Sequence, residues 1–174
     1  MDLSPASRES MRPPAPLRLF IASFIIAFLL NLLPWHGVAL QVVPDFVLLI
    51  LLYWAVHEPR SVGQGLGFFL GLLMDVADSA LLGQHALMYV VAIFIAQLLR
   101  VRMMQLSLLA QALHVGAILL LAQLIGVSLN LSLGREFPGA WMVVAPIVAA
   151  ILWPPLSLVI ALPGLRRSSG NIID

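Results

Sequence analysis

The chain contains no cysteine and no lysine, and only 10% of its residues are charged. Without cysteine there is no disulfide, no thiolate metal site and no cysteine nucleophile. A soluble domain carries about 25% charged residues, so so low a share, with 61% apolar residues, excludes an ordinary soluble fold. No G-x-S-x-G, Walker-type or H-E-x-x-H pattern occurs, and no His-x3-His or Glu-x-x-His pair is available to hold a metal. Catalytic, cofactor-binding and metal-ligating residues are therefore expected to be absent. The small net charge of +1 gives no reason to expect nucleic-acid binding.

What remains is a series of apolar segments separated by short gaps. Six can be read as membrane spans: Leu17–Leu33, a short run Phe46–Val56, Ser61–Ala77, His85–Leu99, Leu106–Leu129 and Trp141–Leu162. Six spans of roughly 20 residues leave little chain for an extramembrane domain. The division expected is a tail over 1–16, one membrane domain over 17–165 and a second tail over 166–174. The first span resembles a signal peptide, but the chain continues Pro34-Trp35-His36-Gly37 with no small-residue cleavage site, so an uncleaved anchor is expected.

The basic residues orient these segments. Arg8, Arg12 and Arg18 precede the first run, Arg60 lies between the second and third, Arg100 and Arg102 between the fourth and fifth, and Arg166 and Arg167 after the sixth. The alternate gaps hold only Arg135. Arginine is retained on the cytoplasmic side, so the pattern predicts six crossings with both termini inside. The acidic residues agree: the inner set carries a net +4 and the outer set −3, which together make the chain's +1.

The second span is too short to cross about 30 Å of hydrocarbon, and its Pro44 reads as a first-turn proline with Val38–Val43 leading in. A re-entrant segment is the rival reading, but it would put Arg60 outside and invert every later gap. Tyr53 and Trp54 suit an interfacial anchor. His57-Glu58-Pro59-Arg60 reads as a tight turn making spans two and three a hairpin. Kinks are expected at Pro146 and at Pro154-Pro155, with Pro163-Gly164 ending the last span.

Gly63, Gly67 and Gly71 recur every four residues, with Asp75 next in the series. Residues so spaced share one helix face, giving a bare groove for another helix with a carboxylate at its end. The groove is expected to pack within the chain before it serves a partner.

Asp75 and Asp78 are one turn apart. Intramembrane carboxylates suggest function, as an acid/base pair, a cation site or a partner contact. The plainer alternative is two wet residues at a helix end. Facing carboxylates are needed to share a proton, and adjacent turns do that only loosely. Gln84, His85 and Tyr89 form a polar cap beside the same loop, to bind a partner or merely to cap a helix. His114, with Gln111 one turn before it, is expected in an interhelical hydrogen-bond cluster, and Arg135-Glu136 as a local pair.

Several of these residues also form an ordered set. Pro44-Asp45-Phe46, Leu51-Leu52-Tyr53-Trp54, Glu58-Pro59-Arg60, Gly71-Leu72-Leu73-Met74-Asp75 and Leu82-Gly83-Gln84-His85-Ala86-Leu87 follow in that order, with Trp153-Pro154 near the end. From about Pro44 to Arg102 the chain resembles the rod shape-determining protein MreD family. The resemblance implies an all-α, six-helix bundle similar to the substrate-binding subunits of energy-coupling-factor transporters. It further implies a scaffold in the bacterial inner membrane, among membrane lipids, serving cell elongation and lateral peptidoglycan synthesis. Its implied partners are MreC, the actin-like MreB, and RodA with its transpeptidase. Pro44, Tyr53, Trp54, Pro59, Gly71, Asp75, Gly83 and Gln84 fall on the family's motif positions, as structural or partner-facing residues. Asp75, Asp78, Gln84 and His85 are the expected partner surface. A substrate-binding membrane subunit of a small-solute transporter is the alternative; it requires a polar cavity open to the outer face.

Overall fold

The computed structural model describes residues 16–37 and 42–170, with side chains to residue 161. The expected tails and most of Val38–Val43 lie largely outside the described residues. All regular structure among these is helical: α1 (Leu17–Asn31), α2 (Phe46–His57), α3 (Gln64–Ala77), α4 (Gln84–Met103), α5 (Leu108–Ser132), a 3-10 turn Ala140–Val143 and α6 (Val144–Gly170). Three stretches are long and apolar enough to cross a membrane: α4, α5 and Ala140–Ala161. The other three helices are apolar but have only 15, 12 and 14 residues. At 1.5 Å per residue they reach roughly 18–22 Å, short of a hydrocarbon core of about 30 Å.

The shortest helix is the innermost. Every residue of α2 from Val47 to Val56 is buried, as befits a helix apolar on all sides. It packs on α1, α4 and α6. Tyr53 and Trp54 are core residues rather than interfacial anchors, 5% and 2% exposed. Trp54 Nε1 donates to Ser23 Oγ of α1 at 2.9 Å, and its ring lies 5.2 Å from that of Phe20. Tyr53 meets Trp153 of α6 at 6.1 Å. Between helices in lipid there is no hydrophobic drive, so such interlocking rings and hydrogen bonds hold the bundle.

Residues 58–61 form a turn with Pro59 at its second position, where a fixed φ is favoured, closed by Ser61 N–H donating to the Glu58 carbonyl at 2.9 Å. The turn joins α2 to α3, yet those two helices pack only weakly on each other. The expected hairpin is instead α3 with α4, the most extensive helix pair. From α4, Gln97 Nε2 donates to the Val62 carbonyl at 2.8 Å and Arg100 Nε to that of Val56 at 2.7 Å, holding the turn to α4.

Glycine allows the close α3–α4 approach. A Cβ on Gly71 would fall 2.5 Å from Ala86 N and 2.7 Å from the His85 carbonyl carbon, and one on Gly67 would overlap the Ile93 Cδ1 methyl. Gly63 departs from the expected series, since it precedes the first residue of α3 and nothing lies within 4 Å of where its Cβ would be.

Prolines also differ from expectation. Asp45, not Pro44, caps α2, so Pro44 lies just outside the helix. Pro146 falls in the first turn of α6, where its missing N–H is no loss. The helix continues through Pro163-Gly164 to Gly170. Gln111 rather than His114 makes the interhelical bond: Trp153 Nε1 donates to Gln111 Oε1 at 3.3 Å, while His114 Nδ1 pairs with the Ala110 carbonyl of its own helix. Arg135 donates to Asn130 Oδ1 at 3.2 Å, and among the described residues it forms no ion pair with Glu136.

Candidate functional site: a polar cavity among four helix ends

α1 ends at Asn31, with Pro34 soon after to prevent its continuation. Asn31 then serves the start of α2 with both ends of its amide. Its Oδ1 accepts from Phe46 N at 3.0 Å and its Nδ2 donates to Asp45 Oδ1 at 2.9 Å. Asp45 caps α2 by accepting from Leu48 N at 3.0 Å. Its other oxygen accepts from the buried Tyr89 hydroxyl of α4 at 2.5 Å. One carboxylate thus ties three helices.

The second carboxylate acts between two helices. Gly83, the N-cap of α4, has φ +96°, which only glycine adopts freely, and offers no capping side chain. Asp75 supplies the cap from α3. Its Oδ2 accepts from Gly83 N at 2.7 Å, and its Oδ1 from His85 N at 2.7 Å while facing His85 Nδ1 at 2.9 Å. A carboxylate is well placed at a helix N-terminus, where free N–H groups and the helix dipole favour negative charge. Asp75 is 1% exposed, so it is not one of two wet residues at a helix end, and its carboxylate does not reach the surface.

Asp78 does reach it. It caps the C-terminus of α3 with its side chain 44% exposed, and its Oδ2 is 3.7 Å from His85 Nε2. Burial raises its carboxyl above the ordinary carboxylate value, Asp45 and Asp75 add to the rise, and His85 opposes it. The imidazole therefore separates the two aspartates, which do not face each other. The three residues of the expected polar cap diverge. His85 turns to this cluster, Tyr89 is buried on Asp45, and Gln84 points to α5, its Nε2 3.5 Å from where a Gly126 Cβ would be.

The four helix ends border an open cavity of about 400 Å3, lined among the described residues by Asn31, Trp35, Val43, Pro44, Asp45, Met74, Asp78 and His85. Its floor is the N-terminus of α2, which is set below that of α4. Asp45 pairs with Tyr89 and Val56 with Arg100, so the two helices run parallel with the pairs eleven positions apart on each. Tyr89 is already five residues into α4, and α4 therefore rises roughly 7 Å beyond the start of α2. A smaller void of about 40 Å3, lined by Met88, Gln123 and Pro146 among others, adjoins the other side of Asp45. Among the described residues no group of three or more His, Asp or Glu side chains is arranged to hold a metal.

Sequence reasoning located Asp75, Asp78 and His85 but not Asp45, Trp35 or Asn31 as members of one site. Asp45 carried a signal, an aspartate directly before an apolar helical run. That Asn31 reaches it is a product of packing.

A family model described as rod shape-determining protein MreD matches residues 12–162. The chain is 31% identical over 134 residues to the rod shape-determining protein MreD of Haemophilus influenzae, an alignment covering 77% of this chain and 83% of that protein. No solved structure matches, so the implied likeness to energy-coupling-factor transporter subunits finds no support there.

Proposed function

This chain belongs to the rod shape-determining protein MreD family, and from that premise we propose that it is a non-catalytic membrane scaffold of the rod-shape machinery, holding MreC, communicating with MreB through its cytoplasmic arginines, and working with RodA and its transpeptidase. The observation that carries this reading is the use made of two carboxylates at the helix ends, Asp45 and the buried Asp75. Asp45 and Asp75 are both engaged in closing helix N-termini, an architectural role, and neither is paired with a second carboxylate as proton-sharing catalysis requires.

All six helices cross the inner membrane in this reading, with both termini cytoplasmic, as the arginine distribution implies. The short α1, α2 and α3 are accommodated by local thinning of the bilayer around the cavity end. That end faces outward. The loop from Asp78 to His85 then presents Asp78, Leu81 and Leu82, the last 72% exposed, toward the periplasmic part of MreC. Asp75 and His85 shape this surface by fixing the start of α4, and Gln84 anchors it against α5. The inner arginines, Arg60, Arg100 and Arg102 among them, face MreB.

Asp78→Arg tests the docking surface, because a rim charge reversal alters association without removing core packing. MreC is co-purified with the variant and with the original chain at equal membrane abundance. Reduced recovery is expected, and undiminished recovery would move the interface to the lipid-facing helix surfaces. The cavity is the one feature favouring a transporter substrate subunit, and that reading predicts an ATP-hydrolysing partner in the same pull-down.

A further inference from the structure

The outer helix ends stand at different heights, and the chain between α5 and α6 bridges the largest step. α5 has 25 residues and α4 has 20, and a short turn joins their inner ends, so α5 overtops the start of α4 by roughly 7 Å. Gly126, facing Gln84 and Met88 at the start of α4, gives a similar overhang. α6 begins lower. A Cβ on Gly116 would lie 3.1 Å from the Ala150 Cβ and 3.7 Å from the Pro146 carbonyl oxygen. Val144, six positions outward of Ala150, is then no higher than Ala122, six positions outward of Gly116. Ser132 lies ten positions beyond Ala122, so α5 stands roughly 15 Å above the start of α6.

The 20 residues of α4 rise about 30 Å, the thickness of the hydrocarbon core. With α4 filling that core, residues 133–143 descend from roughly 7 Å above its outer boundary to roughly 8 Å below it, through the headgroup layer. Two observations bracket the segment. Its side chains are too apolar for water, since Leu133, Phe137 and Trp141 are each more than half exposed. Its backbone is too bare for hydrocarbon: among the described residues no backbone hydrogen bond forms at Glu136, Phe137 or Pro138, and unpaired peptide groups are not tolerated facing the lipid interior. The headgroup layer suits both, offering water and phosphate oxygens to the peptide groups and apolar contact to the rings. Two glycines set the path. Gly134, at φ +76°, closes α5 as its own N–H donates to the Leu131 carbonyl and that of Arg135 to the Asn130 carbonyl, both at 3.0 Å. Gly139, at φ +78°, turns the chain into the 3-10 turn.

We propose that residues 133–143 are an interfacial anchor lying in the outer headgroup layer, with Phe137 and Trp141 inserted to the level of the lipid ester groups. Trp141, three positions before α6, holds the sunken start of that helix in place. The partner is phospholipid of any headgroup charge, because the segment's Arg135 and Glu136 cancel. The proposal rests on the reading that α4, α5 and α6 cross the membrane, and it uses none of the residues assigned to MreC.

The chain has no cysteine, so a single nitroxide can be placed at Ala140→Cys or Val143→Cys in the full chain in phosphatidylcholine vesicles. Ser132→Cys at the top of α5 and Phe94→Cys on the exposed face of α4 are the references. Collision with oxygen, which concentrates in lipid, is compared with collision with a water-soluble nickel chelate. Oxygen is expected to gain on nickel from Ser132 to Ala140 to Val143, with Phe94 deepest. Phe137→Ser with Trp141→Ser should shift the Val143 label toward nickel in a chain that melting shows to be folded. Labels at 140 and 143 as wet as Ser132, with Phe94 deep, overturn the anchor, as does a folded double variant that leaves the Val143 label unmoved. A wet Phe94 label would overturn the crossing of α4 and the anchor with it.

Discussion

Substituting alanine for Gly71 places a methyl group where the structure has no space for one. The Cβ would sit 2.5 Å from Ala86 N and 2.7 Å from the His85 carbonyl carbon. These are backbone atoms, so no side-chain rotation relieves the overlap and α3 must move away from α4. Overpacking of this kind costs about 1–3 kcal/mol. The movement also stretches the bonds from Gly83 N and His85 N to Asp75, both 2.7 Å. Loss of one charge-assisted bond adds about 1.5–3 kcal/mol when complete and less when it only lengthens. A total of about 2–4 kcal/mol is expected, a shift of roughly thirty- to a thousandfold in the folded population. For a chain of this size that lowers the melting temperature by roughly 4–16 °C. Gly67→Ala meets only the end of the Ile93 side chain, which can turn aside, and should cost about 1 kcal/mol. Gly63→Ala meets nothing and should cost less than about 1 kcal/mol, the effect of altering an N-cap. Melting of the three variants in one detergent gives the order Gly71, Gly67, Gly63. If Gly71→Ala melts together with Gly63→Ala, the α3–α4 contact described above is wrong.

The absence of native cysteine makes the orientation directly measurable. His36→Cys, Ser79→Cys and Ser132→Cys should each react with an impermeant reagent added outside intact cells and Arg60→Cys should not; labelling of any of the first three from the cytoplasmic side alone refutes the topology. Asp78 gives a pH signature. Because its folded-state carboxyl titrates above the ordinary value of 3.8, the chain should gain stability relative to Asp78→Asn as pH falls through that raised value, the gain being complete below 3.8. Parallel melting curves for the two proteins across that window would show that Asp78 is not desolvated.

Much of the architecture is local, and local features can be read in a sequence. Helical segments follow from long apolar runs, because those depend on composition alone. The four-residue spacing of Gly67, Gly71 and Asp75 marks one helix face whatever surrounds it. The tertiary structure decided what each face meets. Apolar residues on all sides of α2 are compatible with a lipid-facing span or a central one; only the arrangement of α1, α4 and α6 makes it central, and places Tyr53 and Trp54 inside. Gly63 has the right spacing but lies where α3 has barely begun, so its spacing meets no partner. Asp75 and Asp78 look equivalent in sequence, yet the first is buried against the N-terminus of α4 and the second stands at the rim of a cavity. The cavity itself joins Asn31, Asp45, Asp78 and His85 from four helix ends. No periodicity connects them, because their proximity comes from the relative heights of α2 and α4, and that offset is fixed by long-range bonds such as Tyr89 to Asp45.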